Sequence, residues 1–358
     1  MKKMLELPEE MLEEILCRVP TLSLIRFRST CKRWNRLFND KSFRSNHLEK
    51  SPKQFRVIML NEARLCLMRI NHLRVSPIEV KAQFNLIDPR SRLYEVRISQ
   101  VFHCDGLLLC VTQDRIPRLL VWNPCTGQTR WIKISIVRDA ARPATYALGS
   151  YQNTTSNVGY SYKILSGLVY SLFKDKQAFE VYEMKSSSWR VLDAPLDFII
   201  KELDRGLSLK RKTYWIADVI KSPGHKKFLV SFDYSTEIFE HVCLPDQGSR
   251  FETLSVSVVR DKIGETKAVS WSKILAVDIC FFDTIADGRS FLVDEERKVL
   301  VCCSLNFRVH IIVGEDNNVR DYAVTTSLCP ISLFSYVPSL TQIQQANDIG
   351  GKRKRGDE

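Results

Sequence analysis

With 358 residues, 44% of them hydrophobic and 10% aromatic, the chain has material for a small module and one larger globular domain. No apolar run reaches the length of a membrane span, and Lys2-Lys3 leads into a Glu-rich segment instead of the apolar core of a signal peptide, so residence in cytoplasm and nucleus is expected. The net charge of +12 raises nucleic acid as a partner, but Met1–Arg56 holds 13 basic against 7 acidic residues and Gly350–Glu358 holds 4 against 2, so the rest is nearly balanced and carries no basic stripe with interleaved aromatics, which argues against that partner.

The first element is a helix starting at Pro8, whose missing N–H costs nothing in a first turn, followed by Glu9 and Glu10 at the positive end of the dipole. Met11, Leu12, Ile15, Leu16 and Val19 recur at helical spacing on one face until Pro20 stops the run. Thr21 or Ser23 is expected to cap a second helix in which Leu24, Phe27, Cys31 and Trp34 form one stripe, and Leu37, Phe38 and Phe43 add a third apolar cluster. About fifty residues is near the lower limit for a self-sufficient core, so this end is expected to dock onto a partner.

The string from Leu7-Pro8 through Ile15-Leu16-Cys17-Arg18-Val19-Pro20 and Ser23-Leu24-Ile25-Arg26-Phe27 to Cys31-Lys32-Arg33-Trp34, Asp40 and Phe43 resembles the F-box motif over its whole length; Thr30 departs from it, where the motif usually carries an apolar residue. The resemblance implies that Leu7, Pro8, Leu12, Ile15, Leu16, Leu24 and Trp34 build a helical surface held by a Skp-type adaptor, with residues 1–48 sufficient for that binding.

From about residue 55 onward short apolar runs separated by turn formers read as mostly β, with 49–99 as a connection and first β elements and 100–345 as the main all-β domain. Three units repeat a strand, a polar turn and a strand opening on an aromatic: 118–132 around Asn123-Pro124-Cys125-Thr126-Gly127, 179–192 around Lys185–Ser188, and 228–239 around Tyr234–Glu237. The aromatics before the turns, Trp122, Tyr182 and Phe232, are spaced by 60 and 50 residues, close to the period of propeller blades; a β-sandwich with aromatic hairpins is the alternative. Gly106-Leu107-Leu108-Leu109, Gly167-Leu168-Val169-Tyr170 and Gly206-Leu207-Ser208-Leu209 read as inner strands of the same blades.

Val121-Trp122-Asn123-Pro124, Gly127-Gln128-Thr129-Arg130-Trp131-Ile132, Ser187-Ser188-Trp189-Arg190-Val191-Leu192, Thr213-Tyr214-Trp215 and Tyr336-Val337-Pro338-Ser339-Leu340 stand in the order of the F-box-associated, kelch-like β-propeller domain of plant F-box proteins, which residues 100–345 resemble. Ala147–Tyr160 lacks the clean glycine-aspartate loop usual there. The two resemblances together imply a non-catalytic substrate receptor of an SCF-type cullin–RING ubiquitin ligase: adaptor, and through it cullin and RING protein, at one end, and an unknown protein substrate on the β domain. A non-ligase propeller scaffold or lectin-like binder is the alternative.

No cofactor or metal is called for. The six histidines show no ligand spacing, and His103-Cys104-Asp105 cannot converge because strand neighbours point to opposite faces. Eleven scattered cysteines without a Cys-x-x-Cys pair read as reduced thiols. Substrate contacts are expected in two polar loops, Arg138–Asn157 and Asp246–Arg250, with Arg142, Tyr146, Tyr151 and Arg250 as the first candidates. The tail 346–358 reads as disordered and basic, with Lys352, Arg353, Lys354 and Arg355 compatible with nuclear import.

Overall fold

The computed structural model describes residues 7–343 except 55, 71–77, 90, 136–143, 153–158, 170–176, 194–196, 201–205, 210, 220–226, 243–252, 260–270, 279–290, 295–298, 304–307, 314–317 and 324–330. Four helices come first: α1 Glu9–Cys17, α2 Thr21–Phe27, α3 Lys32–Asn39 and α4 Lys41–Lys50. Pro8 and Pro20 are the N-caps of α1 and α2, so Thr21 is the first residue of its helix and not the cap. The expected continuous helix through Trp34 breaks after Phe27. The Thr30 hydroxyl donates to the Phe27 carbonyl at 2.7 Å, a local bond that competes with helix continuation, and Cys31 is extended. Asp40 caps α4 by accepting the Phe43 N–H at 2.9 Å.

All described strand pairs are antiparallel. Arg56–Asn61, Arg64–Ile70 and Ile78–Phe84 form a sheet whose outer place beside Arg56–Asn61 is taken by Ser332–Tyr336. Four-stranded meanders follow at 98–132 and 144–192, a five-stranded sheet at 198–242, a strand pair at 253–278 and a further four-stranded sheet at 291–323, with a small hairpin at Ile87–Glu95.

The cores lie between sheets, which is why several strands are apolar at every position instead of alternating. In Leu107–Thr112 the side chains of Leu107, Leu109 and Val111 pack toward the 144–192 sheet, while Leu108 and Cys110 pack toward the 56–84 sheet. The 144–192 sheet divides the same way: Tyr146, Leu148, Tyr162 and Ile164 face back, Ala147, Leu165, Phe179 and Val181 forward onto Trp215, Val230 and Phe232. Met59, Met68 and Leu333 meet Val301, Val309 and Ile311 of the 291–323 sheet. Sheets stacked face to face in sequence, with a C-terminal strand completing the sheet that contains Arg56–Asn61, are the blade arrangement expected of a propeller and not two layers of a sandwich.

The three sequence units occupy equivalent hairpins. Gly127, Ser187 and Glu237 adopt φ of 73°, 60° and 60°, and each N–H donates to the carbonyl four residues back, at Asn123, Glu183 and Asp233. A buried cation on the preceding blade clamps two of these turns. Arg130 donates to the Met184 carbonyl at 2.8 Å and to the Ser187 hydroxyl at 2.9 Å; Lys163 donates to the Tyr234 carbonyl at 2.9 Å and pairs with Glu237 at 2.8 Å. Met184 and Tyr234 are the same position of the turn. Two of the three glycine-led strands differ from expectation: Leu107–Thr112 is the second strand of its sheet and Gly167 lies inside the second strand Tyr160–Val169, while Leu207–Leu209 lies at an edge. Gly106 marks a two-residue turn instead, since Asp105 and Gly106 have φ of 51° and 79°.

Candidate functional site

The helical unit is built around Leu12, Leu16, Cys17, Leu24, Trp34, Phe38 and Phe43, closed by a ring series from Phe27 through Trp34, Phe38 and Phe43 to His47. His47 Nε2–H donates to the Val19 carbonyl at 2.8 Å, and burial lowers its pKa. Of the seven residues expected at the docking surface, Leu12, Leu16, Leu24 and Trp34 are therefore core: they shape the unit from beneath and do not reach its surface. The apolar groups that do reach it are Pro8, Met11 (55% exposed) and Ile15 (42%), one row of α1 at helical spacing, with half-buried Leu7 ahead of them and Phe27 at the end of α2. Met11 and Phe27 were not separable from core residues by periodicity alone.

The charge of this unit is polarised. Glu9, Glu10, Glu13 and Glu14 lie on α1, whereas Ile15–Asn39 contains six basic and no acidic residues. Glu14 is held below the usual carboxylate range by Lys50 at 2.7 Å and Arg18 at 2.5 Å.

The eighth member of the helical core comes from the other end of the chain. Leu340 is only 4% exposed and packs among the α1–α4 side chains. The segment Val337–Ile343 runs as a strap between the helices and the 98–132 sheet. Toward the helices, the Thr21 hydroxyl donates to the Pro338 carbonyl at 2.9 Å and Gln342 Nε2 to Asn39 Oδ1 at 2.9 Å. Toward the sheet, Asn123 Nδ2 donates to the carbonyls of Ser339 (3.2 Å) and Thr341 (2.7 Å), the Ser339 hydroxyl to the Asp105 carbonyl (2.6 Å), and the Ile343 N–H to Gln128 Oε1 (3.1 Å). Gly106 is needed for the fit, because a Cβ there would stand 2.8 Å from the Ser339 backbone nitrogen. The module expected at 1–48 is thus completed by Leu340.

These contacts also set which end of the sheets faces the helices. Asp105-Gly106, Asn123–Gly127 and the Gly159-Tyr160 corner all lie at the helix end; Gly159 abuts Lys41, and the Tyr160 hydroxyl bonds Glu49. The hairpin loop Gln113–Arg118, reached by following Leu107–Thr112 away from Gly106, lies at the opposite end.

The expected substrate residues are redistributed. Tyr146 and Tyr151 are not loop residues, because Ala144–Gln152 is a strand: Tyr146 is buried between sheets, and the half-buried Tyr151 donates to Glu183 Oε1 at 2.8 Å beneath Lys163 Nζ, 3.9 Å from its ring. Burial of this strand on both faces, with Thr145 and Ser150 buried alongside its apolar residues, left no alternation to reveal it. Arg142, Arg250 and Lys352–Arg355 lie outside the described residues. His103 is a structural acceptor: Nε2 takes the Gly106 N–H at 3.1 Å, and burial pushes the imidazole pKa down to about 4, so it is neutral near pH 7.

Residues 4–46 match the F-box domain family, and residues 56–263 and 259–343 match the F-box associated beta propeller domain family. The chain is 45% identical to the probable F-box protein At5g47300 of Arabidopsis thaliana over 98% of its own length and 89% of that protein. It is 46% identical to the putative F-box protein At3g25460 of the same plant, over 96% and 99%, and 38% identical to the F-box/kelch-repeat protein At3g44120, over 98% of both chains. The chain belongs to the F-box proteins with an F-box associated β-propeller domain. An F-box indicates binding to a Skp-type adaptor, and this domain pair supports a substrate-receptor role in SCF complexes in general terms. F-box proteins are generally non-catalytic adaptors. Among the described residues, no helix is long and apolar enough to cross a membrane.

Proposed function

We propose that this chain is the substrate-receptor subunit of an SCF-type cullin–RING ubiquitin ligase, with the row Pro8, Met11 and Ile15 seated on the Skp-type adaptor and the β domain holding a protein to be ubiquitinated. The observation that carries this reading is the apolar row on α1 that stays exposed, Met11 by 55% and Ile15 by 42%, on a helical unit whose core is already closed by Leu340. The basic residues of Ile15–Asn39 suit an acidic adaptor surface and speed its encounter. The chain would supply no covalent chemistry. It would raise the effective concentration of a target lysine at the conjugating enzyme bound through cullin and RING protein. Lys352–Arg355 supports a nuclear share of the protein, which deletion of 346–358 in a tagged chain should lower.

Co-expression of the full chain with adaptor, cullin and RING protein tests the assignment. A stoichiometric four-part complex is expected. Adaptor binding without cullin would favour the scaffold reading, and no adaptor binding would overturn the docking assignment.

A further inference from the structure

At the end of the β domain away from the F-box, Arg118 organises a corner from three stretches of chain. Its guanidinium grips Asp88 through two bonds, at 2.6 and 3.1 Å, takes Asp114 at 2.8 Å, and lies 4.6 Å over the Trp131 ring. The Thr112 hydroxyl donates to Asp114 at 2.8 Å and accepts the Arg118 N–H at 2.9 Å, while the Gln113 N–H donates to the Arg97 carbonyl at 2.8 Å. The loop Gln113–Pro117 is therefore fixed at both ends, and the hairpin at Asp88 is fixed to it.

What this scaffold displays is apolar and basic. Ile116 is 60% exposed at the loop tip and Ile87, next to Asp88, is 63% exposed. Arg97 and Arg115 are exposed and have no acidic partner among the described residues, and the nearby carboxylates are already engaged, Asp88 and Asp114 by Arg118 and Glu95 by Arg64. Exposed aliphatic and basic side chains on stretches tied together by the Arg118–Asp88 and Gln113–Arg97 bonds complement a segment carrying aliphatic and acidic side chains, and rigidity of the loop lowers the entropy cost of binding it.

We propose that the corner formed by Ile87, Arg97, Arg115 and Ile116 is the receptor surface for an acidic, aliphatic-bearing peptide segment of the target protein. This rests on the receptor reading above and names the substrate class for it.

A random dodecapeptide display library, panned against the full chain purified with its adaptor, tests the assignment. Selected peptides should be enriched in Asp and Glu alternating with Leu, Ile or Val, and should lose about tenfold or more in affinity against the Arg115→Glu and Ile116→Asp variants, both of which change exposed side chains and should leave thermal stability unchanged. Peptides without acidic enrichment, peptides insensitive to both variants, or no selected peptide at all would overturn it. So would dimerisation in light scattering that Ile116→Asp abolishes, since the corner would then serve a second copy. Adaptor co-purification in the same samples separates the outcomes: its retention with failed peptide selection refutes the corner alone, while its loss in the unmodified chain refutes the F-box docking assignment.

Discussion

Truncating Leu340 to alanine should loosen the F-box although the substitution lies some three hundred residues from it in sequence. The side chain is nearly fully buried among Leu12, Leu16, Leu24, Trp34 and Phe38. Removing a Leu side chain from such a site forfeits its transfer free energy and leaves a cavity, about 3 kcal/mol within the usual range of 2–5. That shifts the ratio of closed to open F-box by about a hundredfold, a large share of what a unit of this size can hold. Amide exchange followed by mass spectrometry on the free chain should show faster exchange across Glu9–Lys50, while Leu107–Thr112, buried on both faces, keeps its protection. Gly106→Ala gives an independent perturbation: it touches no F-box residue, but its Cβ displaces Ser339 and hence the strap, so it should produce the same pattern. Unchanged exchange in α1–α4 for both variants would refute the claim that the strap completes the F-box.

Met11→Asp or Ile15→Asp should abolish adaptor capture with little change in melting temperature, whereas Leu16→Asp should lose capture by unfolding the helices; circular dichroism beside pull-down separates the two. Arg130→Met should cost about 2 kcal/mol by orphaning the buried Met184 carbonyl, read as a lower urea midpoint. His103 is held neutral, with a folded pKa of about 4 below an unfolded value of 6.5, so the unfolded chain binds the extra proton and stability falls as pH drops from about 6.5 to 4, by about 3 kcal/mol in all. Urea titrations of His103→Asn, which lacks that proton site, should show a correspondingly flatter decline over this window.

How much of this was legible follows from which contacts are local. The α1 face, the Pro8 start and the equivalent hairpins around Trp122, Tyr182 and Phe232 are set by residues a few positions apart, and periodicity and turn chemistry expose them. The break between α2 and α3 was hidden because it lies at a local turn, in which both the N–H and the hydroxyl of Thr30 bond the Phe27 carbonyl, inside an otherwise unbroken apolar stripe. Sorting Leu12, Leu16, Leu24 and Trp34 from Met11 and Ile15 needs to know what covers the helices, and the covering residue Leu340 is separated from them by the whole β domain. Strand Ala144–Gln152 read as loop because its polar members, Thr145 and Ser150, are buried between sheets along with its apolar ones. The corner at Arg118 likewise joins Asp88, Asp114 and Trp131, of which only Asp114 is near in sequence.

The same strap that completes the F-box also governs how the proposed receptor presents its cargo. Proximity gains a large rate factor only when the bound group is held in a narrow range of positions, and a flexible joint between F-box and β domain would dissipate it. Here the strap bonds Thr21 and Asn39 on one side and Asp105, Asn123 and Gln128 on the other, so the two parts are tied through it as well as through the chain that follows α4. From Asp105-Gly106, the six-residue strand Leu107–Thr112 leads directly to the loop bearing Ile116. At about 3.3 Å per residue it spans roughly 20 Å, and burial on both faces leaves it no freedom to bend. On the proposed assignments, a segment bound at Ile116 would thereby be fixed relative to an adaptor bound at Ile15, and the lysines within reach of the conjugating enzyme would be set by their distance along the target from that segment.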